Sequence, residues 1–201
     1  MRMNHGISFL VGSVLLVGCG GEERAEETPE GVIGESMQVD APAEVRTHTA
    51  LAYCDDVTTW STSWADFENQ VLTLVNQKRA AGATCGGVLK PAVPALTLDS
   101  RLRCAARKHS KDMGDNNFFS HTGSNGSTPF QRMTSAGYIY SYAGENIAAG
   151  YSTPSAVVTG WMNSTGHCNN IMNGNYKHLG VGYYRSATGY GHYWTQDFGA
   201  Q

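Results

Sequence analysis

The amino-acid composition changes sharply near residue 50, and this change limits where a folded domain can lie. Residues 20–49 carry eight acidic side chains against only Arg24 and Arg46, and they contain no aromatic residue. Such a segment cannot bury enough apolar surface to offset the entropy that is lost when a chain becomes ordered. We therefore predict an acidic, disordered tether over residues 19–62 and one folded domain over residues 63–201.

The first 18 residues resemble a bacterial lipoprotein signal peptide. Arg2 provides a positive start, and residues 7–17 form an apolar run that is too short to span a bilayer. The run ends in Leu-Val-Gly-Cys19, which is similar to a lipobox. The resemblance implies cleavage before Cys19, acylation with chains such as palmitate, and anchoring to the bacterial cell envelope, at the outer membrane or cell surface. The alternative is an ordinary signal peptide in which Cys19 is accidental.

The charge distribution argues against a nucleic-acid partner. The net charge of −3 comes from the acidic tether, and the remaining domain is close to neutral. No basic stripe with interleaved aromatic residues is visible, as nucleic-acid binding would require. We expect a monomeric domain without a nucleic-acid ligand.

The cysteines indicate disulfide bonds. Once Cys19 is assigned to lipid, an even number remains, which in an exported chain predicts two disulfides. We expect Cys85 to pair with Cys104 across a loop that is rich in glycine and proline, which leaves Cys54 with Cys168. This is one of three possible pairings. A zinc site is the alternative, although the chain has no Cys-x-x-Cys element.

Capping residues and hydrophobic periodicity predict four helices. They begin near Ser63, where a capping box precedes apolar residues at helical spacing, near Asp99, at Thr128-Pro129 and at Thr153-Pro154. We expect the loop over residues 85–96 to contain no regular element, because it holds two glycines and two prolines.

Strand patterns are concentrated in the second half of the chain. Residues 145–149 form a short candidate, and residues 179–184 and 190–198 flank a turn sequence in a hairpin pattern. Helices and strands do not alternate as in a parallel sheet. The sequence therefore predicts an α+β fold with an antiparallel sheet and helices packed on it.

An ordered set of motifs identifies a family resemblance. A helix with Asn76 and Arg79 and a helix with His109 and Met113 are followed by FFSHTG, GENIA, WMNSTGHCNN, GVGYY and YWTQDFG. This order resembles the CAP superfamily of cysteine-rich secretory, antigen 5 and pathogenesis-related proteins, and in particular its bacterial branch. The resemblance implies an α-β-α sandwich, in which a central antiparallel sheet lies between helical layers and a groove opens on one side.

The resemblance also implies a site of two histidines and two glutamates. His121 matches the histidine of the FSH motif, and Glu145 matches the glutamate of GEN. Ser164 stands where the second glutamate is expected. His192 is displaced by one residue from the expected histidine, and on a strand such a displacement turns a side chain to the opposite face. His192 can therefore be a ligand only if a β-bulge turns its side chain back to the face of the other ligands.

His167 is expected to compensate for these departures. It follows Ser164 by three residues, so a continuing helix would place both on one face. We predict His121, Glu145 and His167 as the catalytic or binding centre, with His192 as a further metal ligand. These donors suit a divalent cation such as Zn²⁺ or Mg²⁺. Alternatively, Glu145 is a buried structural residue, and His109 is expected to be a core histidine.

Two functions remain open from the sequence. The first is a membrane-tethered module of the cell envelope that binds a lipid, a glycan or a protein in its groove. The second is a metal-dependent hydrolase or peptidase, in which His121 and His167 hold the ion and Glu145 acts as ligand or general base. Binding is favoured, because these residues form no complete motif of a known mechanism and the chain has no His-Glu-x-x-His element.

Overall fold

The computed structural model describes residues 43–201, with side chains from residue 49 onward, so the predicted leader, Cys19 and most of the tether lie outside it. Within that range no helix is long and apolar enough to cross a membrane. The elements, in chain order, are α1 (Ala43–Cys54), a 3₁₀ turn (Asp55–Val57), α2 (Thr62–Ala81), β1 (Ala83–Cys85), β2 (Val88–Lys90), β3 (Thr97–Leu98), α3 (Ser100–Asn116), α4 (Pro129–Ser135), β4 (Tyr142–Ala149), α5 (Pro154–Asn163), α6 (Thr165–Ile171), β5 (His178–Arg185) and β6 (His192–Ala200).

The central sheet has four strands in the order β3-β5-β6-β4. The three long strands are antiparallel, and β5 and β6 form the predicted hairpin. The two-residue strand β3 adds to β5 in the parallel direction. The register pairs Glu145 of β4 with Asp197 of β6. Because directly paired residues point to the same face, this register decides which side chains can meet.

Helices cover both faces of the sheet, as expected for an α-β-α sandwich. On one face, α2, α5 and α6 enclose a core that contains Trp161, Trp194 and Phe198. On the other face α3 packs directly on β5 and β6, and α1 and α4 pack on α3. Alternate residues of β6 serve the two layers, since Trp194 belongs to the first core while Thr195 accepts a hydrogen bond from Ser110 of α3 at 2.8 Å.

Three of the predicted helix starts are confirmed by their caps. The side chains of Asp99, Thr128 and Thr153 each accept a hydrogen bond from a backbone N–H in the first turn, and Thr128 forms a full capping box. The predicted capping box at Ser63 is wrong, because α2 already begins one residue earlier. The hydroxyl of Ser63 instead lies 2.9 Å from that of Ser61.

The segment over residues 85–96, predicted to be without regular structure, contains one strand of a small hairpin. β1 and β2 pair across Gly86 and Gly87, which have φ values of 57° and 84°. Positive φ at both central residues is what a type I′ hairpin turn requires. Strands of three residues are too short to give an alternating pattern, and the sequence therefore predicted only a loop.

Asn76 and Arg79 of α2 hold the chain that follows this hairpin. Asn76 exchanges two hydrogen bonds with the backbone of Leu96, at 2.8 and 2.9 Å. Arg79 is fully buried and donates to three backbone carbonyls at 2.6 to 2.9 Å. Both motif residues therefore have structural roles.

The folded part of the chain begins before the predicted boundary at residue 63. Helix α1 ends at Cys54, and Val57 is buried against α3 and α4 in a second core cluster. The boundary was placed too late because the acidic composition that marks the tether ends near residue 49, whereas the first aromatic residue that contacts the core is Tyr53.

The two disulfides join Cys54 to Cys104 and Cys85 to Cys168, so the predicted pairing is wrong although their number is right. Cys85 and Cys168 belong to the core of the α2-α5-α6 layer, whereas Cys104 belongs to the core on the α3 side. A Cys85–Cys104 bond would have to cross the sheet, which is farther than a disulfide can reach. Each disulfide therefore staples one helical layer.

Candidate functional site

The polar centre of the site begins with a hydrogen bond between His121 and Glu145. Glu145 lies on the edge strand β4 with a buried side chain, and His121 lies in the segment between α3 and α4. Nδ1 of His121 is 2.7 Å from Oε1 of Glu145. Because an ionised carboxylate can only accept, Nδ1 of His121 carries a proton, and this is the tautomer of a neutral imidazole in which Nε2 accepts hydrogen bonds.

Arg132 of α4 fixes the second carboxylate oxygen. Its Nη2 donates to Oε2 of Glu145 at 2.7 Å and to the carbonyl of His121 at 3.0 Å. Burial alone would raise the pKa of Glu145, but Arg132, His109 and His121 lower it to about 2. Glu145 is therefore an anion whose two oxygens are both engaged, and its geometry suits the orientation of His121.

His109 lies beside this pair as a buried core histidine, as predicted. Its Nε2 is 2.9 Å from the carbonyl oxygen of Ser120 and 4.0 Å from Oε1 of Glu145. Burial lowers the pKa of His109 to about 4, and the neighbouring Glu145 only partly opposes this effect. His109 is therefore neutral near pH 7, and it ties the chain before His121 to α3.

The outer edge of β4 is closed by side chains that also fix the position of α6. Tyr176, Asn170 and Trp161 donate to the carbonyls of three alternate residues of this strand, at 3.2, 3.3 and 3.1 Å respectively. From β4, Asn146 donates to the carbonyl of His167 at 3.2 Å. These bonds hold His167 of α6 against the strand that carries Glu145.

His167 is 5% exposed, and its Nε2 is buried without a hydrogen-bond partner. Burial lowers the pKa of this imidazole to about 4, and the nearby ring of His121 lowers it further. The Nε2 of His121 is likewise buried and without a partner. The structure thus brings together two imidazoles whose Nε2 atoms both lack partners within the part of the chain that it describes.

His192 does not join this group. It lies an odd number of residues from Asp197 on β6, so it points to the sheet face opposite Glu145. There its Nδ1 lies 2.8 Å from the hydroxyl of Tyr183, and the two rings stack. Tyr193 occupies the Glu145 side instead, where it packs with Met113. The expected metal ligand His192 is therefore displaced, and β6 carries no bulge that would return it.

Ser164 lies between α5 and α6, so the continuing helix that would place it on one face with His167 is not present. Its ψ of 127° is extended, and α6 begins anew at Thr165. The break between the two helices comes at Ser164, and Gly166 lies inside α6. Ser164 and His167 therefore do not share the face of one helix, because the helical spacing on which that prediction depended is interrupted.

Asp197 adds a second carboxyl group to the centre, and it was not among the predicted site residues. Asp197 is completely buried opposite Glu145, and neither of its oxygens has a hydrogen-bond partner. Burial first, and then the anionic Glu145, raise the pKa of Asp197 well above its usual value. We infer that Asp197 is protonated and that Glu145 carries the single negative charge of the pair.

The predicted four-ligand metal site is not assembled in this arrangement. Among the described residues, no three side chains from histidine, cysteine, aspartate and glutamate are grouped to hold a metal ion. Glu145 is committed to His121 and Arg132, which leaves only the two imidazole Nε2 atoms of His121 and His167 as donors.

Sequence reasoning missed Arg132 and Asp197 and treated His109 as separate from the site. Arg132 lies in a short helix where a charged residue ordinarily faces solvent. Asp197 is framed by aromatic and apolar residues on a strand, and that isolated acid inside a predicted buried strand was the available signal. Only the sheet register shows that it faces Glu145.

The fold is an α-β-α sandwich with a part-buried histidine–glutamate pair at the edge of its sheet. Comparison with known sequences identifies the family. The model of the cysteine-rich secretory protein family, CAP, matches residues 72–198. The chain belongs to this family.

Similar proteins come mainly from bacteria. The chain is 44% identical over 132 residues to an uncharacterized Bacillus subtilis protein, YkwD, covering 66% of this chain and 46% of that one. It is 34% identical over 139 residues to an uncharacterized membrane protein of the same organism, YlbC, covering 69% and 36% of the two chains. The chain therefore spans less than half the length of either relative.

Solved structures confirm the fold. An extracellular protein of Bacillus anthracis that contains an SCP domain superimposes with a TM-score of 0.60 at 31% identity, over 71% of this chain and 45% of that chain. An outer surface protein of Borrelia burgdorferi has a TM-score of 0.51 at 22% identity, over 66% and 93% of the two chains. The second likeness concerns the fold alone.

Proposed function

We propose that this protein is a CAP module tethered to the bacterial cell envelope that binds a ligand at the centre formed by His121, Glu145 and His167. The observation that carries the proposal is the pair of buried Nε2 atoms without partners. Buried polar atoms are normally hydrogen-bonded, so two that are not bonded, on imidazoles near enough for His121 to lower the pKa of His167, favour an absent partner.

The chemistry of the centre favours a ligand that donates hydrogen bonds. Burial lowers the pKa of His167 to about 4, so this imidazole is neutral near pH 7. Because Nδ1 of His121 donates to Glu145, the neutral form of that ring has Nε2 as a hydrogen-bond acceptor. Hydroxyl groups of a glycan both donate and accept, so they match either imidazole nitrogen. A divalent cation held by the same two nitrogens is the competing occupant.

The cellular location is part of the same proposal. A lipobox-like sequence ends at Cys19, and an acidic segment separates it from α1. Two similar proteins are described as extracellular and as an outer surface protein, and a third as a membrane protein. Lipid on Cys19 would anchor the domain at the envelope. Radiolabelled palmitate incorporated by the wild type but not by Cys19→Ser would support this anchor, and equal labelling of both would contradict it.

The binding function is tested with defined probes and a matched histidine control. We expect purified peptidoglycan sacculi to retain the wild-type protein, and His121→Ala and His167→Ala each to weaken retention at least about tenfold. His192→Ala is the control, because His192 lies on the opposite sheet face and should leave retention unchanged. Retention that is unaffected by His121→Ala would reject the proposed centre, and a Zn²⁺ titration of the same variants identifies a cation as the occupant.

A hydrolase is the second candidate, and the His121–Glu145 hydrogen bond is what favours it. An imidazole that is oriented by a carboxylate through Nδ1 and has a free Nε2 is the usual arrangement of a general base. Glu145 would then orient His121 instead of acting as the base. Profiling with ester, peptide and glycoside substrates would detect turnover that is lost in His121→Ala and kept in His192→Ala. No turnover that depends on His121 would favour the binding module.

A further inference from the structure

The segments that carry His121 and His167 are uncharged, and so is the turn between β5 and β6. Residues 116–131 and 146–176 contain no aspartate, glutamate, lysine or arginine, although the chain has 14 basic and 17 acidic residues. Residues 186–196 contain none either. Serine, threonine, glycine and aromatic residues are frequent in all three segments instead. These segments therefore offer no carboxylate, ammonium or guanidinium group to a charged ligand.

The two charged side chains at the centre are paired with each other. Nη2 of Arg132 lies 2.7 Å from Oε2 of Glu145, and both side chains are buried. A ligand with a charge of its own would lose water there without gaining a partner, and burying an unpaired charge is costly. A neutral polar ligand is therefore favoured.

An exposed aromatic ring lies at the tip of the β5–β6 hairpin. Tyr190 is 44% exposed. Its ring makes edge-to-face contacts with the rings of Phe119 and Tyr193, at centroid distances of 6.0 and 6.1 Å. Its backbone N–H donates to the hydroxyl of Tyr193 at 3.2 Å. Neighbouring rings thus hold Tyr190 in place, while much of its own ring stays open to solvent.

The aromatic platform formed by Tyr190 and Phe119 is continuous with the centre. Phe119 precedes His121 by two residues and packs against the small cluster that contains Ile147. Ile147 lies two residues beyond Glu145 on β4, and therefore on the same face of the sheet. Two residues of a strand span about 7 Å. The platform and the centre are therefore neighbouring parts of one surface.

These two parts together describe the chemistry of the ligand. The Nε2 atoms of His121 and His167 lack partners within the described part of the chain and need groups that form hydrogen bonds. The ring of Tyr190 offers a face with partial negative charge, which attracts the slightly positive hydrogens of C–H bonds. A sugar ring supplies both, because it has hydroxyl groups around its rim and C–H bonds on its faces.

We propose that the aromatic platform stacks one sugar ring of a neutral, β-1,4-linked glycan, whose neighbouring ring presents hydroxyl groups to His121 and His167. In a β-1,4-linked chain of glucose configuration the ring substituents are equatorial. Both faces of each ring therefore carry only C–H bonds, and the chain is extended enough to reach two adjacent subsites. This inference rests on the ligand-binding function proposed above and names the class of its ligand.

The test uses chitotetraose, a neutral β-1,4-linked oligomer of N-acetylglucosamine, and two exposed tyrosines. We expect it to bind the full-length protein saturably in calorimetric titrations. Tyr190→Ala should weaken binding about tenfold, whereas Tyr190→Phe should keep it, because the ring remains. Tyr142→Ala is the matched control, since Tyr142 is 39% exposed and begins β4 at the end of the sheet away from this hairpin tip. Circular dichroism of each variant verifies the fold.

A second measurement detects the stacking itself. A sugar ring that lies on the face of an aromatic ring shows upfield shifts of its C–H protons in nuclear magnetic resonance spectra. We expect these shifts for one ring of chitotetraose with the wild type and with Tyr190→Phe, and their loss with Tyr190→Ala. A merely structural role of Tyr190 would not produce them.

The outcomes separate this inference from the proposed function. The platform is overturned when chitotetraose does not bind, when Tyr190→Ala and Tyr142→Ala weaken binding equally, or when no C–H proton shifts. Sacculus retention that is lost in His121→Ala and unchanged in Tyr190→Ala would also overturn it, and would leave the proposed function standing. Chitotetraose binding that depends on Tyr190 and not on His121 would support the stacking subsite and reject the binding centre.

Discussion

At the scale of single residues, the environment of each carboxyl group decides its charge. Glu145 and Asp197 face each other across β4 and β6, and both are buried. Arg132 donates to Glu145, whereas neither oxygen of Asp197 has a hydrogen-bond partner. Two adjacent buried carboxyl groups cannot both be anions at an acceptable free energy, so the one with the arginine is ionised and the other keeps its proton.

The two carboxyl groups should therefore respond differently to amidation. Glu145→Gln removes the anion that neutralises buried Arg132 and is expected to lower the free energy of unfolding at pH 7 by about 3 kcal/mol. Asp197→Asn replaces one neutral group by another of the same shape and should change it by less than about 1 kcal/mol. Urea denaturation followed by circular dichroism measures both values. A larger loss from Asp197→Asn than from Glu145→Gln would contradict the assignment of charge.

At the scale of elements, the close approach of α3 to β5 depends on two glycines of the GVGYY motif. A Cβ atom placed on Gly180 would overlap the backbone of Leu102, and one on Gly182 would overlap the backbone of Ala106. Neither glycine has a positive φ, so the requirement is space and not backbone conformation. Because α3 carries His109 and contacts α4, this spacing also positions the residues around Glu145.

Adding one methyl group at this contact should be costly. Gly182→Ala must push the α3 backbone away from the sheet, and we expect it to lower the free energy of unfolding by roughly 1–3 kcal/mol or more. Gly174→Ala is the matched control, because its new Cβ would meet only Val93 at an ordinary 3.5 Å. Thermal denaturation of both variants tests this. Similar melting temperatures for the two would mean that α3 does not lie as close to β5 as described.

At the scale of the whole molecule, buried groups with shifted pKa values make stability depend on pH. Burial lowers the pKa of both His109 and His167 to about 4 from an ordinary 6.5. Below pH 6.5 the unfolded chain therefore binds protons that the folded chain excludes, and stability falls as the pH falls toward 4. Glu145, with a pKa of about 2 against an ordinary 4.5, extends the loss below pH 4.5. Asp197 acts in the opposite direction, since its pKa is raised.

The effect of the histidines can be isolated in the Asp197→Asn background. We expect the free energy of unfolding to decrease as the pH falls from 6.5 to 4. The full decrease, reached when the histidine is also protonated in the folded state, is on the order of 3 kcal/mol for each histidine. His167→Gln should flatten this slope by about half, because one of the two excluded protons is then gone. Guanidinium titrations at several pH values measure the slope. A stability that is constant over this range would show that the two imidazoles are not buried as neutral groups.

Much of the fold was predictable because its signals are local. The caps at Asp99, Thr128 and Thr153 each act within one helical turn, and the hairpin of β5 and β6 follows from a turn between two alternating segments. The histidine and glutamate of the site lie in motifs of a few residues, so His121 and Glu145 could be named from the sequence. The displacement of His192 was also predictable, because the faces of a strand alternate with a period of two.

What the sequence by itself determined is therefore the family, the α-β-α class, three capped helix starts and the presence of two disulfides. Only the tertiary structure decided which cysteines pair, because the sheet separates Cys85 from Cys104. It also decided that Arg132 holds Glu145 and that Asp197 faces it. These contacts depend on which side of the sheet a residue lies and on the register between strands, and neither is encoded within a few residues of the chain.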